Sequence, residues 1–133
     1  KLKKMEFTSS HKKYIALGIL EQIEKAILRL QERTVHIKST DDFLLSPEGM
    51  EKLDAACMLL IAIGESLKSF DKVTEKQVLS TYPAIPWNNV MGVRDIIAHH
   101  YFNIDAEEIF EIIRDELSPL LVAIRYFIQE LRG

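Results

Sequence analysis

From Ile109 to Leu131 the chain places an apolar residue at every third or fourth position: Ile109, Ile113, Leu117, Leu120, Ile124, Phe127 and Leu131. That spacing gathers all seven on one face of an α-helix, whereas a half-buried strand would alternate. A helix with such a stripe must lay it against other helices. Two more stretches do the same. Ala16, Leu20, Ile23, Ile27 and Leu30 repeat as a bundle seam, and Met50, Leu53, Cys57, Leu60, Gly64 and Leu67 form a third stripe. With 5 Gly and 4 Pro among 133 residues, little remains for a sheet and its turns. These patterns predict an all-α, up-and-down bundle of four main helices plus one or two short ones. They also predict a single domain, with residues 1–8 as a loosely ordered start.

Local signals set the expected boundaries. Thr8, Ser9 and Ser10 offer caps for a first helix running to about Arg33. A connection follows, with a short helical turn over Asp41 to Leu44. Ser46 reads as an N-cap with Pro47 in the first turn, opening a second helix to about Ser69. Gly64 inside it costs about 1 kcal/mol of helix stability, which predicts a close approach by another helix. Thr74-Glu75-Lys76-Gln77 has the form of a capping box for a short helix ending near Thr81. Pro83 and Pro86 keep the next link extended. A helix is expected from Trp87 to His99, and a last one from the capping box at Asp105 to about Leu131, kinked or restarted at Ser118-Pro119.

Some function classes recede on composition. The longest apolar run, Ala55 to Gly64, is about half of what a membrane span needs. Lys1 to Lys4 lead into polar Thr8, Ser9 and Ser10 rather than an apolar core, so no signal peptide is read and a cytoplasmic location is expected. Cys57 is the single cysteine and reads as a core thiol. The net charge of −3 argues against an avid free-standing nucleic-acid binder, although Lys1, Lys3, Lys4, Lys12 and Lys13 crowd one end. His11 and His36 stand alone and read as surface residues. No cofactor or metal motif is present.

Chemistry concentrates between Arg94 and Tyr101. Arg supplies a permanent cation shaped for phosphate, His exchanges protons near neutral pH, and Tyr adds a hydroxyl and a stacking face. RNA carries its own nucleophile, the 2′-hydroxyl, so these groups suffice for cleavage without a metal. His99 can act as base or acid, and Arg94 can neutralise the charged phosphorus centre. Tyr101 can hold the phosphate, stack a base or orient His99. Trp87, Met91, Arg94 and Ala98 follow at helical steps, which places Arg94 on an otherwise apolar stripe. Such an Arg calls for a salt bridge, an interface or a ligand, and Asp95, Glu65 and Asp105 are the candidate ion partners. Glu65, a charge ending ten apolar residues, is a candidate for positioning Arg94. Five residues of helix turn through about 140°, so Arg94 and His99 do not project side by side unless the helix ends near Ala98 or Arg94 reaches along it. A second protomer across a two-fold axis would supply the missing half.

The surrounding residues carry a resemblance. Ile85-Pro86-Trp87, Gly92-Val93-Arg94, and His99-His100-Tyr101-Phe102-Asn103-Ile104-Asp105 resemble the HepT-like branch of the HEPN superfamily, whose pattern is Arg, four residues, His, one residue, Tyr. Ile63-Gly64-Glu65 is similar to an upstream family motif, and Thr40-Asp41-Asp42-Phe43-Leu44 matches another more loosely. The resemblance covers about Tyr14 to Leu131. It implies a homodimeric ribonuclease with a composite cleft and with Arg94, His99 and Tyr101 as catalytic residues, working without a metal. Glu65, Asp95 and His100 are the supporting candidates, His100 outside the catalytic set because the family pattern admits varied residues there. It further implies a toxin paired with an MNT-type nucleotidyltransferase antitoxin that adenylylates Tyr101. Added phosphate beside Arg94 would occupy the site of the RNA phosphate. The competing reading is a non-catalytic dimeric module that holds a nucleotide or that nucleotidyltransferase.

Overall fold

The computed structural model describes residues 10–99 and 105–133, with His99 placed by its backbone. The long helices are α1 (Ser10–Arg33), α3 (Pro47–Val73), α6 (Ala106–Asp115) and α7 (Leu117–Arg132). Between them lie α2 (Thr40–Leu44), a 3-10 turn over Leu79–Thr81, α4 (Trp87–Met91) and α5 (Val93–His99). Among the described residues the fold is an all-α bundle, as the stripes predict. Among the described residues no helix is long and apolar enough to cross a membrane.

The stripes predicted for the first and last helices meet in one core. Ala16, Leu20, Ile23, Ile27 and Leu30 are the buried residues of α1. They pack on α3 and α7, the elements with which α1 shares its largest interfaces. Polar links along the edge run Gln31 to Ser118, Arg125 to Glu24 and Arg132 to Glu21. Numbers fall along α1 as they rise along α7, so the two helices are antiparallel. Phe127 of α7 is fully buried and gathers Phe70 at 6.1 Å, Trp87 at 5.8 Å and Tyr82 at 5.7 Å between ring centroids. This ring cluster locks α3, α7 and the link before α4 together. Cys57 lies in the same core, and burial, reinforced by Asp54, pushes its thiol up to about 11, which leaves it unreactive.

Helix α3 begins as its sequence predicts, with the Ser46 hydroxyl accepting from the Gly49 N–H at 2.9 Å. It runs four residues past the expected end, and there the capping-box reading fails. Thr74 closes α3 instead of opening a new helix, and its hydroxyl donates to the Phe70 carbonyl at 2.8 Å. The Lys76 N–H reaches back to the Asp71 carbonyl and the Glu75 N–H to that of Lys72, a Schellman closure. Glu75 and Lys76 adopt φ of 56° and 61° without being glycine, so no Gly marked the stop. The stripe is also wider than the one predicted: Met50 is 52 % exposed, while Ala56, Leu59, Ile63 and Phe70 join the buried face.

The expected last helix divides at Glu116. The restart puts Pro119 in the first turn of α7, where its missing N–H breaks no helical bond. At the start of α6 the Asp105 carboxylate accepts from the Glu108 N–H at 3.1 Å, as its capping signal predicts.

Candidate functional site

The link Tyr82 to Pro86 delivers the chain to α4 in a fixed orientation. The Trp87 indole N–H donates to the Tyr82 carbonyl at 2.8 Å, and the Pro86 carbonyl accepts from the Asn89 N–H at 3.0 Å. Helix α4 stops at Gly92, whose φ of −87° and ψ of 0° break the helix before α5. The single helix expected from Trp87 to His99 is therefore two. Gly64 of α3 receives this junction as its own position predicts: a Cβ there would stand 2.9 Å from the Val90 carbonyl oxygen and 3.2 Å from Val93 Cγ1.

The face of α4 and α5 turned to the core is Trp87, Val90, Val93 and Ile97, with Trp87, Val93 and Ile97 buried. It is the neighbour of the predicted stripe Trp87, Met91, Arg94, Ala98, and that expectation is corrected here. Arg94 and Ala98 are exposed. Rotating the helix buries aliphatic groups in place of a guanidinium, whose desolvation would cost several kcal/mol.

Arg94 nonetheless has a partner. Its Nη1 lies 3.6 Å from Glu65 Oε1, and Lys68 Nζ lies 3.0 Å from Glu65 Oε2. Glu65 and Lys68 are one turn apart on α3, so they share a side of the helix, while Arg94 reaches across from α5. The Arg94 side chain keeps 58 % of its surface and Glu65 40 %, so the pair contributes at most about 1 kcal/mol to stability. Its consequence is placement. Glu65 Oε2 is closed to water and makes no aligned hydrogen bond, so the adjacent Lys68 ammonium and the Arg94 cation answer its charge. Nothing in the sequence reading drew attention to Lys68; its spacing of three from Glu65 was the available signal.

Asp95 sits exposed in the first turn of α5, and His99 closes that helix. The His99 side chain, His100, Tyr101 and Phe102 lie outside the described residues. Asp105 is committed to the α6 cap. His11 and His36 are exposed, as expected.

A second feature was not foreseen. A cavity of about 750 Å³ borders α5 at Val93 and Ile96, and carries Glu108, Glu111, Asp115 and Glu116 on its wall. The spacing of Glu108, Glu111 and Asp115 puts them on one face of α6 and was legible as such. Burial first, then repulsion from Asp115, Glu108 and Glu111, raises the Glu116 carboxyl above its ordinary range. This wall repels a polyanion, whereas the Arg94–Lys68 side offers two cations around one carboxylate.

Residues 19–127 match the family described as Ribonuclease HepT-like. The chain belongs to the HepT-like ribonucleases. The matched span includes Glu65, Lys68, Arg94 and the whole segment through Tyr101. A protein of Methanocaldococcus jannaschii provisionally named an RNase is 28 % identical over 93 residues, 70 % of this chain and 71 % of its own. One of Thermococcus cleftensis, provisionally named a ribonuclease HepT, is 29 % identical over 111 residues, 84 % of this chain and 89 % of its own. A protein of Caldanaerobacter subterraneus subsp. tengcongensis, again provisionally named an RNase, is 29 % identical over 111 residues, 84 % of this chain and 92 % of its own. No solved structure gives a significant match. Ribonuclease chemistry is thus the HepT-like family's, and the geometry around Arg94 is the place to look for it.

Proposed function

We propose that this HepT-like chain is a metal-independent endoribonuclease that works as a homodimer. The observation that carries the reading is Arg94: an exposed guanidinium steadied by Glu65 at one end of a helix that finishes at His99. In the proposed reaction an imidazole of His99 takes the proton of the RNA 2′-hydroxyl. The 2′-oxygen then attacks the adjacent phosphorus, the P–O5′ bond breaks, and the imidazolium so formed gives its proton to the departing 5′-oxygen. The products are a 2′,3′-cyclic phosphate and a free 5′-hydroxyl. Arg94 balances the charge that builds on the non-bridging oxygens. Asp95, four residues before His99 in the sequence, orients the imidazole in this reading, and His100 is a supporting neighbour. Two-fold pairing brings one protomer's His99 to act beside the other's Arg94, which answers the divergence of about 140° within one helix.

In a cell this activity fits the toxin of a HEPN/MNT-type pair. The antitoxin would be an MNT-type nucleotidyltransferase that adenylylates Tyr101, placing nucleotide phosphate against Arg94 and excluding RNA. The decisive experiment is cleavage of single-stranded RNA with and without chelator. The expected result is chelator-resistant cutting with cyclic-phosphate ends, abolished by Arg94→Ala and by His99→Ala with helical content unchanged. Cutting that survives either substitution, or that the chelator stops, would overturn the mechanism. The net charge of −3 and the acidic wall beside α5 favour a second reading, a non-catalytic dimeric module that binds a nucleotide or the nucleotidyltransferase. Nucleotide binding by a protein that never cuts RNA would select it.

A further inference from the structure

We infer that Lys68 is a second phosphate-binding residue of the site, holding the RNA phosphate next to the one that Arg94 contacts. This rests on the ribonuclease reading above and extends it to a residue outside the Arg94–Tyr101 segment. Three observations carry it. Lys68 Nζ and Arg94 Nη1 occupy opposite oxygens of the same carboxylate, 3.0 Å from Oε2 and 3.6 Å from Oε1 of Glu65. The two cations therefore stand close together, within reach of consecutive phosphates of one strand. Both are open to solvent, with 44 % and 58 % of their side-chain surface exposed, so neither must be uncovered to meet a ligand.

The third observation is the charge distribution around α5. Lys68 and Arg94 are two cations around the single Glu65 carboxylate, while Glu108, Glu111, Asp115 and Glu116 line the cavity that borders Val93 and Ile96. A strand approaching Arg94 is repelled from the cavity and drawn across α3, where Lys68 lies one turn beyond Glu65. An ammonium suits that place better than a second guanidinium would. It is a compact point charge on a flexible stem and can exchange a carboxylate for a phosphate oxygen without having to present a fixed fork. Glu65 keeps both cations pointed outward while the site is empty.

The test uses the full chain and a single-stranded RNA bearing 2′-O-methyl groups throughout, which lacks the nucleophile and reports binding alone. Affinity is measured against salt for the wild type, Lys68→Gln and Lys68→Arg. A lost phosphate contact on a single strand should make the log–log salt slope shallower by about 0.7. The expectation is that Lys68→Gln binds severalfold more weakly with that shallower slope. With cleavable RNA it should raise KM and spare kcat, and Lys68→Arg should restore both slope and KM. Thermal unfolding of the variants checks that the fold is kept. A Lys68→Gln protein with wild-type slope and KM would make Lys68 a structural partner of Glu65 only and overturn the inference, while leaving Arg94 chemistry standing. A wild type that neither binds nor cuts RNA would remove the underlying reading as well.

Discussion

At the scale of single residues, the question is what holds a cation ready without satisfying it. Glu65 meets Arg94 at 3.6 Å, too far for a hydrogen bond. An exposed guanidinium gains little from such a contact and can leave it for a phosphate. Glu65→Gln should therefore cost almost no stability, while changing function in two opposed ways. Removing an anion from the site strengthens RNA binding, so KM falls; releasing Arg94 from its orientation lowers kcat, by roughly tenfold if about 1.4 kcal/mol of transition-state stabilisation is lost. Steady-state kinetics with unfolding controls would check this, and an unchanged kcat would remove Glu65 from the site. The sequence made Glu65 conspicuous, a charge ending ten apolar residues, but misjudged Arg94 as part of an apolar stripe. Helical spacing alone cannot choose between two adjacent faces; the aliphatic volume of Val93 and Ile97 did. Glu116 gives a pH prediction. Its carboxyl titrates above the ordinary range because burial and three neighbouring acids oppose its charge. Folding therefore favours the protonated form, and that stability is full below the unfolded-state pKa and lost as pH rises through the raised one. Glu116→Gln should raise the melting temperature at pH 7 by a few degrees at most, with the gain vanishing toward pH 4.

At the scale of elements, two glycines of α3 bear different loads. A Cβ on Gly49 would run into the Asp42 carbonyl and come within 3.0 Å of that of Phe43, jamming α2 against the start of α3. On Gly64 it would press the Val90 carbonyl and Val93, displacing the helix that carries Arg94. Alanine gains about 1 kcal/mol of helix propensity at either position, whereas overpacking against backbone costs about 1–3 kcal/mol. Both variants should lose stability, but only Gly64→Ala should also lose activity per folded molecule. Denaturant unfolding beside single-turnover cleavage separates the two, and full activity in folded Gly64→Ala would detach that junction from the site. The Gly64 contact was legible because a helix-interior glycine needs a reason. The end of α3 was not, because its left-handed closure uses Glu75 and Lys76. The break at Gly92 was equally hidden, since a φ of −87° is open to any residue and nothing in the composition demanded it.

At the scale of the whole molecule, one apolar face is left over. Of the ten residues Ala55 to Gly64, six are buried, but Met58 remains 68 % exposed, Ala62 is exposed, and Ala55 and Ile61 are half-covered. Ala55, Met58, Ala62 and Glu65 follow at helical steps, so this face runs directly into the Arg94 ion pair. An apolar strip leading into a charged site is what a composite dimer interface requires, with the strip supplying cohesion and the charges meeting across the two-fold axis. A homodimer closed by this face would hide Met58 and bring two Arg94–Glu65 pairs together. Met58→Glu should then oppose like charge to like charge at the seam and yield monomers at micromolar concentration. Because Met58 makes little of the internal core, helical content should stay at the wild-type level. Cleavage should fall with the dimer fraction and recover as protein concentration is raised. Sedimentation velocity over a concentration series, with activity read on the same samples, checks each part. A wild type that sediments as a monomer would remove the composite site, and a monomeric Met58→Glu with full activity would show that one chain holds the whole reaction.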